Sequence, residues 1–304
     1  MGNKKERETL DYLKTRLSGQ YLVDEPLALH TWYKLGGPAD FFVYPRNLED
    51  LRSLLHFCRT VDMCTYFIGE GANILSSDAG FRGVIIKLSR HFNSLQLEDD
   101  MLKADAGTHL EDLILFCEKN NLGGLECLSG IPGTVGGALI MNAGTGKGEI
   151  GDRVQGVYVL DEALEPSEMS SKEISFEYRS VPQLNAKVIL GCKLKLHSEK
   201  ESVLKAFRLH QLEERAAKQP LEYPSCGSVF KRPARHYVGK MVEEAGLKGF
   251  RYGDAMISDK HGGFIVNTGH AKASDIVYLI RKVQEKILDK FGVELEPEVK
   301  FLGF

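Results

Sequence analysis

Apolar residues recur at helical spacing in three capped stretches. Asn47-Leu48-Glu49-Asp50-Leu51, continuing through Leu54, Leu55 and Cys58, predicts an amphipathic helix that starts at Asn47. Thr108 and Glu111 form the spacing of a capping box ahead of Leu110, Leu113, Ile114 and Cys117, predicting a second helix that ends near Gly123. Ser274 is expected to start a third, with Val277, Ile280, Val283, Ile287 and Leu288 on one face and Gly292 as the stop. Strands are predicted at Phe41–Tyr44, Tyr66–Ile68, Gly83–Leu88 and Gln155–Leu160, and at the alternating Val188, Leu190, Cys192, Leu194 and Leu196. Helices alternate with strands early, strands dominate the middle, and helices return near residue 200. The polar stretch Ser198-Glu199-Lys200-Glu201-Ser202 is therefore the main expected boundary, with a weaker one near His91. These divide the chain into 1–90, 91–199 and 200–304.

Composition narrows the function classes. At 304 residues, 43% hydrophobic and 27% charged, the chain has enough apolar side chain for two or three packed units, and wholesale disorder is excluded. A net charge of −3, from 39 basic and 42 acidic residues, with no long basic run, argues against nucleic acid as a partner. The six cysteines, Cys58, Cys64, Cys117, Cys127, Cys192 and Cys226, show no C-x-x-C and no paired His/Cys spacing, so no metal site is expected and a reduced compartment is. No segment approaches the roughly 18 apolar residues of a membrane helix. Met1–Gln20 is charged and roughly helical in period, unlike a signal peptide. The expectation is a soluble, cytoplasmic protein without a membrane partner.

Glycine is the outlier, at 31 residues, and it clusters. Ser129-Gly130-Ile131-Pro132-Gly133-Thr134-Val135-Gly136-Gly137-Ala138 places four glycines and a proline where a helix or strand would need side chains. Such density exposes successive backbone N–H groups to a close ligand, as a diphosphate requires, although tight turns alone would use the same residues. Phe67-Ile68-Gly69-Glu70-Gly71-Ala72-Asn73-Ile74-Leu75 repeats the idea, a strand followed by a glycine turn and an Asn that tolerates left-handed backbone. Two cradles favour a large dinucleotide, yet neither fits G-x-G-x-x-G and no G-x-x-x-x-G-K-[ST] occurs. Between Lys218 and Arg232-Pro233, prolines stiffen a loop bearing Ser225, Ser228, Lys231 and Arg232. No G-x-S-x-G is present, so Ser228 is better placed to donate a proton than to attack a carbonyl. Tyr178-Arg179 and Glu298, at the expected start of a final strand, complete the candidates; each alone is more often structural.

Taken in order, these segments closely resemble the UDP-N-acetylenolpyruvoylglucosamine reductases, the MurB family of flavoenzymes. The resemblance runs from His30-Thr31-Trp32-Tyr33-Lys34-Leu35-Gly36-Gly37-Pro38-Ala39-Asp40 through Gly69–Asn73, Gly130–Ala138, Tyr178-Arg179-Ser180, Gly227-Ser228-Val229-Phe230-Lys231 and Ser258-Asp259-Lys260-His261 to Pro297-Glu298-Val299. It implies an α+β fold: a two-lobed FAD-binding domain of the vanillyl-alcohol-oxidase type, then a smaller α/β C-terminal substrate domain. It further implies non-covalent FAD, reduced by NADPH, and a UDP-sugar enolpyruvyl ether as substrate, reduced to UDP-N-acetylmuramate in peptidoglycan synthesis. The implied cofactor-binding residues are Gly69, Glu70, Gly71, Ala72, Asn73, Ile74, Leu75, Gly130, Ile131, Pro132, Gly133, Thr134, Gly136, Gly137 and Ala138. Arg179, Ser228 and Glu298 fall on the family's catalytic positions, while Tyr178, Lys218, Lys231 and Arg232 fall in its substrate region.

That chemistry suits those residues. Hydride addition to the enolpyruvyl β-carbon drives charge onto the carboxylate, which an Arg held by Tyr178 would stabilise. Protonation at C2 needs a positioned donor, and Ser228, a weak acid, would need a cation such as Lys231 or a relay. The chain departs from the family at Ala72, where a Ser is frequent, at Arg232, where an Asn is common, and at Val181, where a Ser is frequent. Too few residues separate Ser180 from Lys187 for the tyrosine-bearing insertion of one branch, so the shorter, second type is implied. Two other readings use the same cradles: another non-covalent flavin oxidoreductase, and a nucleotide-sugar binding or transfer protein without redox chemistry. The latter leaves Arg179 and Glu298 without a task.

Overall fold

The computed structural model describes residues 4–98 and 100–304; the first three residues of the charged N-terminal stretch lie outside the described residues. Helices and strands are mixed throughout, the α+β class that was expected. The helices are α1 (Lys4–Thr15), α2 (Leu48–Thr60), α3 (Leu110–Lys119), α4 (Val135–Met141), α5 (Glu201–Lys218), α6 (Val238–Glu244) and α7 (Ala273–Phe291). Two compact units form, and they are not consecutive in sequence. The first comprises residues up to Val23, Asp40–Gly69 and Gly83–Glu213; the second comprises Asp24–Ala39, Glu70–Arg82 and Glu214–Phe304. The division expected near Lys200 falls at the start of α5, and the units part within that helix.

The first unit carries a five-stranded antiparallel sheet in the order Pro166–Ser170, Val154–Leu160, Val188–Lys195, Met101–Asp105, Leu95–Glu98. Most residues of a four-stranded sheet also belong to it, in the order Gln20–Pro26, Pro38–Tyr44, Phe81–Ile86, Thr65–Phe67, the last pair being parallel. Phe41, Val43, Leu51, Leu54, Val84, Ile86, Leu102, Leu113, Val157 and Leu194 belong to one continuous apolar cluster of this unit. That cluster spans both sides of His91, where a boundary was expected. Helix α2 forms as the pattern predicts, with Asn47 Oδ1 accepting the Asp50 N–H at 2.9 Å.

Helix α3 differs from its prediction at both ends. Thr108 does not cap it; His109 occupies the N-cap position without a side-chain bond. The Thr108 carbonyl instead accepts Val135 N–H at 2.9 Å, and Leu110 N–H goes to Gly133 O at 3.0 Å. Long-range backbone pairing has displaced the local cap. The helix stops at Lys119, before Asn121 turns left-handed (φ 57°), so Gly123 lies in a short strand rather than at the stop.

In the second unit, Ala255–Ile257 pairs antiparallel with Arg251–Tyr252 and with Ile265–Asn267, while Lys300–Leu302 runs parallel to Ile74–Ser76. Helix α7 begins at Ala273 rather than Ser274, because the Asp78 carboxylate accepts both Ala273 N–H and Ser274 N–H, at 2.8 and 3.1 Å. It stops at Gly292, left-handed as expected. Its buried face is Ile276, Leu279, Ile280, Val283 and Ile287; Leu288, placed on that face by the sequence pattern, is exposed. These residues pack with Tyr33, Leu75, Cys226, Val229 and Val299.

Asp50 ties the start of the first unit together. Its carboxylate, 6% exposed, accepts the N–H groups of Ser18, Gly19 and Arg46, each at 2.9 Å. Asp50→Ala leaves three amides without their acceptor, and a loss of about 2–4 kcal/mol in urea-melt stability is expected. A change below about 0.5 kcal/mol would show that solvent replaces the carboxylate.

Candidate active site

The glycine loop of the first unit is built around Thr134. The segment is not free of regular structure, as its composition suggested: α4 starts at Val135 and runs through both Gly136 and Gly137. Thr134 Oγ1 accepts Gly137 N–H at 3.3 Å, and Gly136 N–H bonds Ala106 O at 2.8 Å. Gly136 is needed for contact, since a Cβ there would lie 3.1 Å from the Ala106 side chain. Gly69 is needed for the same reason, with a Cβ 2.7 Å from Thr134 Oγ1. Gly133 is different. Its φ of +146° is glycine backbone, and a Cβ would meet only Leu110 Cδ1, at 4.0 Å. The N–H groups of Gly133 and Thr134 make no hydrogen bond among the described residues. An open face with two unused amides fits the diphosphate of a dinucleotide such as FAD. Ile131, Pro132 and Ala138 complete this loop.

The second glycine turn, Glu70–Leu75, belongs to the second unit. Gly71 is left-handed (φ 65°) and packs directly on the His30 carbonyl, leaving no room for a Cβ, while its own carbonyl accepts Trp32 N–H at 3.2 Å. Asn73 Nδ2 donates to Glu298 O at 3.0 Å, and Asn73 O accepts Lys300 N–H at 2.9 Å. The turn is thus pinned to the segment that carries Glu298. Ala72, half-buried, follows Gly71 with no side-chain hydroxyl to offer.

Ser228 lies in the same unit, exposed, opposite Phe264 in an isolated antiparallel bridge. Val229 N–H bonds Gly263 O at 2.9 Å, and Val229 O accepts Glu298 N–H at 2.7 Å. Ser228 and Glu298 are therefore on laterally paired segments, and the second unit brings them together with Asn73. Lys231 does not stand beside Ser228 as an unengaged cation: its ammonium pairs with Glu296 at 2.6 Å. Lys218 pairs along its own helix with Glu214 at 2.9 Å, and the Arg232 guanidinium lies 5.1 Å from the centre of the Tyr237 ring. His261 is a neighbour to which the sequence pattern assigned no role. Its Nδ1 accepts Gly263 N–H at 3.1 Å, and burial, reinforced by Lys248, pushes the imidazole pKa below its ordinary value.

Arg179 occupies the first unit, in a tight turn closed by Glu177 N–H to Ser180 O at 2.9 Å and Ser180 N–H to Glu177 O at 3.2 Å. Its backbone is left-handed (φ 55°). The guanidinium donates to Asn142 O at 3.3 Å and to Gly144 O at 2.8 Å, and stands 3.7 Å from the Glu149 carboxylate. The Tyr178 ring, expected to hold it, is 5.1 Å away and half-exposed. Carbonyls of the 142–144 turn therefore do more to fix Arg179 than the adjacent aromatic. Asn142 and Glu149 carried no recognisable sequence signal beyond their place in the glycine cluster.

Comparison with known proteins places this geometry. Residues 39–163 match a family model described as an FAD binding domain, and residues 219–302 match one described as the C-terminal domain of UDP-N-acetylenolpyruvoylglucosamine reductase. A UDP-N-acetylenolpyruvoylglucosamine reductase of Clostridium botulinum (strain Hall) is 41% identical over 283 residues, covering 93% of this chain and 92% of that one. Its counterpart in Moorella thermoacetica is 40% identical over 291 residues, covering 96% of each. The crystal structure of UDP-N-acetylenolpyruvylglucosamine reductase from Thermus caldophilus superposes with a TM-score of 0.81 at 32% identity, over 94% of this chain and 99% of that one. Identity at this level, sustained over more than nine-tenths of both sequences, means that the chain belongs to the UDP-N-acetylenolpyruvoylglucosamine reductase family.

Proposed function

We propose that the chain is an FAD-dependent oxidoreductase that uses NADPH to reduce the enolpyruvyl group of UDP-N-acetylglucosamine enolpyruvate to the lactyl ether of UDP-N-acetylmuramate, a cytoplasmic step of peptidoglycan synthesis. The observation that carries this reading is the open face at Gly133, where the Gly133 and Thr134 amides make no hydrogen bond among the described residues and suit a flavin dinucleotide in a chain of this family. Among the described residues, no helix is long and apolar enough to cross a membrane. FAD held by the glycine segments would supply the hydride-transfer chemistry between NADPH and the enolpyruvyl β-carbon.

The chain's own residues do the rest. The segments Gly69–Leu75 and Gly130–Ala138 bind the cofactor through backbone N–H groups, with Glu70 and Asn73 fixing the first turn; residues 1–90 and 91–199 serve as the two cofactor lobes. Residues 200–304 take the nucleotide, with Lys218, Lys231 and Arg232 as diphosphate contacts and Tyr178 as a further substrate contact. Arg179 orients the substrate carboxylate and stabilises the charge that develops on it, because a preorganised guanidinium needs no solvent rearrangement as the enolate forms. Ser228 holds the proton delivered to C2. Glu298, on the paired segment, orients the carboxylate and replenishes that proton. Because Lys231 is paired with Glu296, Glu298 on the segment paired beside Ser228 is the residue we assign to proton-relay support.

Three measurements test the assignment. Gly133→Val projects a side chain from the open face, so folded protein without flavin colour is expected; normal flavin occupancy would remove the loop from the cofactor site. Arg179→Ala should slow reoxidation of the reduced flavin by substrate at least ~100-fold while leaving its bleaching by NADPH nearly unchanged. Equal loss in both half-reactions would indicate a structural role instead. Ser228→Ala should bleach normally with NADPH and then reoxidise at least ~100-fold more slowly with substrate in single-turnover absorbance, with partial recovery in Ser228→Cys. If Ser228→Ala reoxidises as fast as the parent, the proton comes from elsewhere.

A further inference from the structure

We infer that Glu149, fastened by Asn142, is a positioning residue that holds the Arg179 guanidinium in its working orientation. The inference rests on the role proposed above for Arg179. Arginine is long and rotamer-rich, and this one sits in a turn with left-handed backbone, so sequence neighbours alone do not aim its head group. The aim comes from across the unit. Asn142 is buried and itself left-handed (φ 42°), and its carbonyl accepts from Arg179. Its side-chain amide is used in three directions: Nδ2 donates to Glu149 Oε2 at 2.6 Å and to Glu177 O at 3.1 Å, while Oδ1 accepts Gly151 N–H at 3.1 Å. One amide thus clamps the turn that bears Arg179 to the carboxylate that faces it.

Glu149 is restrained as well. Its backbone pairs with Gly144, whose carbonyl is the shorter acceptor of the guanidinium, and its N–H bonds Asp152 Oδ2 at 2.9 Å. The carboxylate also caps the Ile150–Asp152 turn in a reciprocal box with Asp152; one oxygen is engaged by Asn142 and the other lies 3.7 Å from Arg179, beyond hydrogen-bond range. The interaction is therefore a charge contact that orients the cation. The side chains are 19% and 29% exposed, so screening is incomplete and the attraction is stronger than at an open surface. A bystander carboxylate would not be aligned by a buried amide that also holds the arginine's own turn.

Glu149→Gln tests this, since the amide oxygen still accepts from Asn142 while the charge facing Arg179 is removed. In single-turnover absorbance, bleaching by NADPH should stay within about twofold of the parent, and reoxidation by substrate should slow about tenfold or more. Binding of UDP-N-acetylmuramate to the oxidised protein, followed by calorimetry, should weaken in parallel. In the Arg179→Ala background the same substitution should change reoxidation by less than about twofold, because a residue acting through Arg179 has nothing left to position. Glu149→Asp keeps the charge and should recover part of the rate; it also carries the test if Glu149→Gln does not accumulate as folded protein. Parental reoxidation in Glu149→Gln alongside slow reoxidation in Arg179→Ala would overturn the inference and leave the arginine's role standing. Additive losses in the double variant, or equal slowing of both half-reactions, would overturn it in favour of a purely structural role. Parental reoxidation in Arg179→Ala would remove the role of Arg179 and this inference with it.

Discussion

Close backbone approach at Thr134 is the constraint on which the first unit's site depends. Its hydroxyl starts α4 through Gly137 and occupies the space a side chain at Gly69 would need. Its backbone neighbours bond Leu110 and Thr108, which fixes where α3 begins. One residue therefore sets the positions of two helices and the end of the Thr65–Phe67 strand segment. A larger residue at 69 or 136 would separate these elements, whereas one at 133 would meet open space; the glycines fall into a close-packed pair and one that faces open space.

A comparable economy holds the second unit. The Ile74–Ser76 strand pairs with Lys300–Leu302, Asn73 reaches the Glu298 carbonyl, and the buried Cys226 thiol donates to Ile74 O at 3.0 Å. Burial drives the Cys226 pKa well above its ordinary value, so it stays a neutral thiol that packs and donates one weak bond. The consequence for function is order: the turn at Gly71, the Ser228 segment and the Glu298 segment are tied by main-chain bonds that side-chain motion does not loosen.

What was legible in the sequence follows from how local each determinant is. Helix α2 and the stop of α7 are decided within a few residues, by Asn47 and Gly292, and both appear as read. The start of α7 is decided by Asp78, nearly two hundred residues away, and was misplaced by one residue. Thr108 had the right spacing for a cap and lost it to pairing with Val135. The Pro166–Ser170 strand lacks apolar alternation because it lies at a sheet edge, Arg251–Tyr252 is too short to show any, and Ile74–Ser76 is a strand only through its distant partner Lys300–Leu302. Helix α4 was hidden because two glycines at its start weaken helix propensity while serving close packing. At the candidate site, residue types were readable from motifs and their partners were not: nothing near Lys231 announces Glu296, and nothing near Arg179 announces Asn142.

That asymmetry has a physical basis in how charge is controlled. A buried or half-buried cation interacts strongly because little solvent screens it, so the kind and distance of its partners set how its charge is held. Two backbone carbonyls accept from Arg179 without cancelling its charge, and the Glu149 carboxylate stands 3.7 Å from it. Lys231 shows the opposite arrangement, a direct 2.6 Å contact to the largely exposed Glu296. The distance between partner and cation, set by backbone that the motif residues do not contain, therefore separates the arginine, held mainly by carbonyls, from the lysine, held by a direct ion pair.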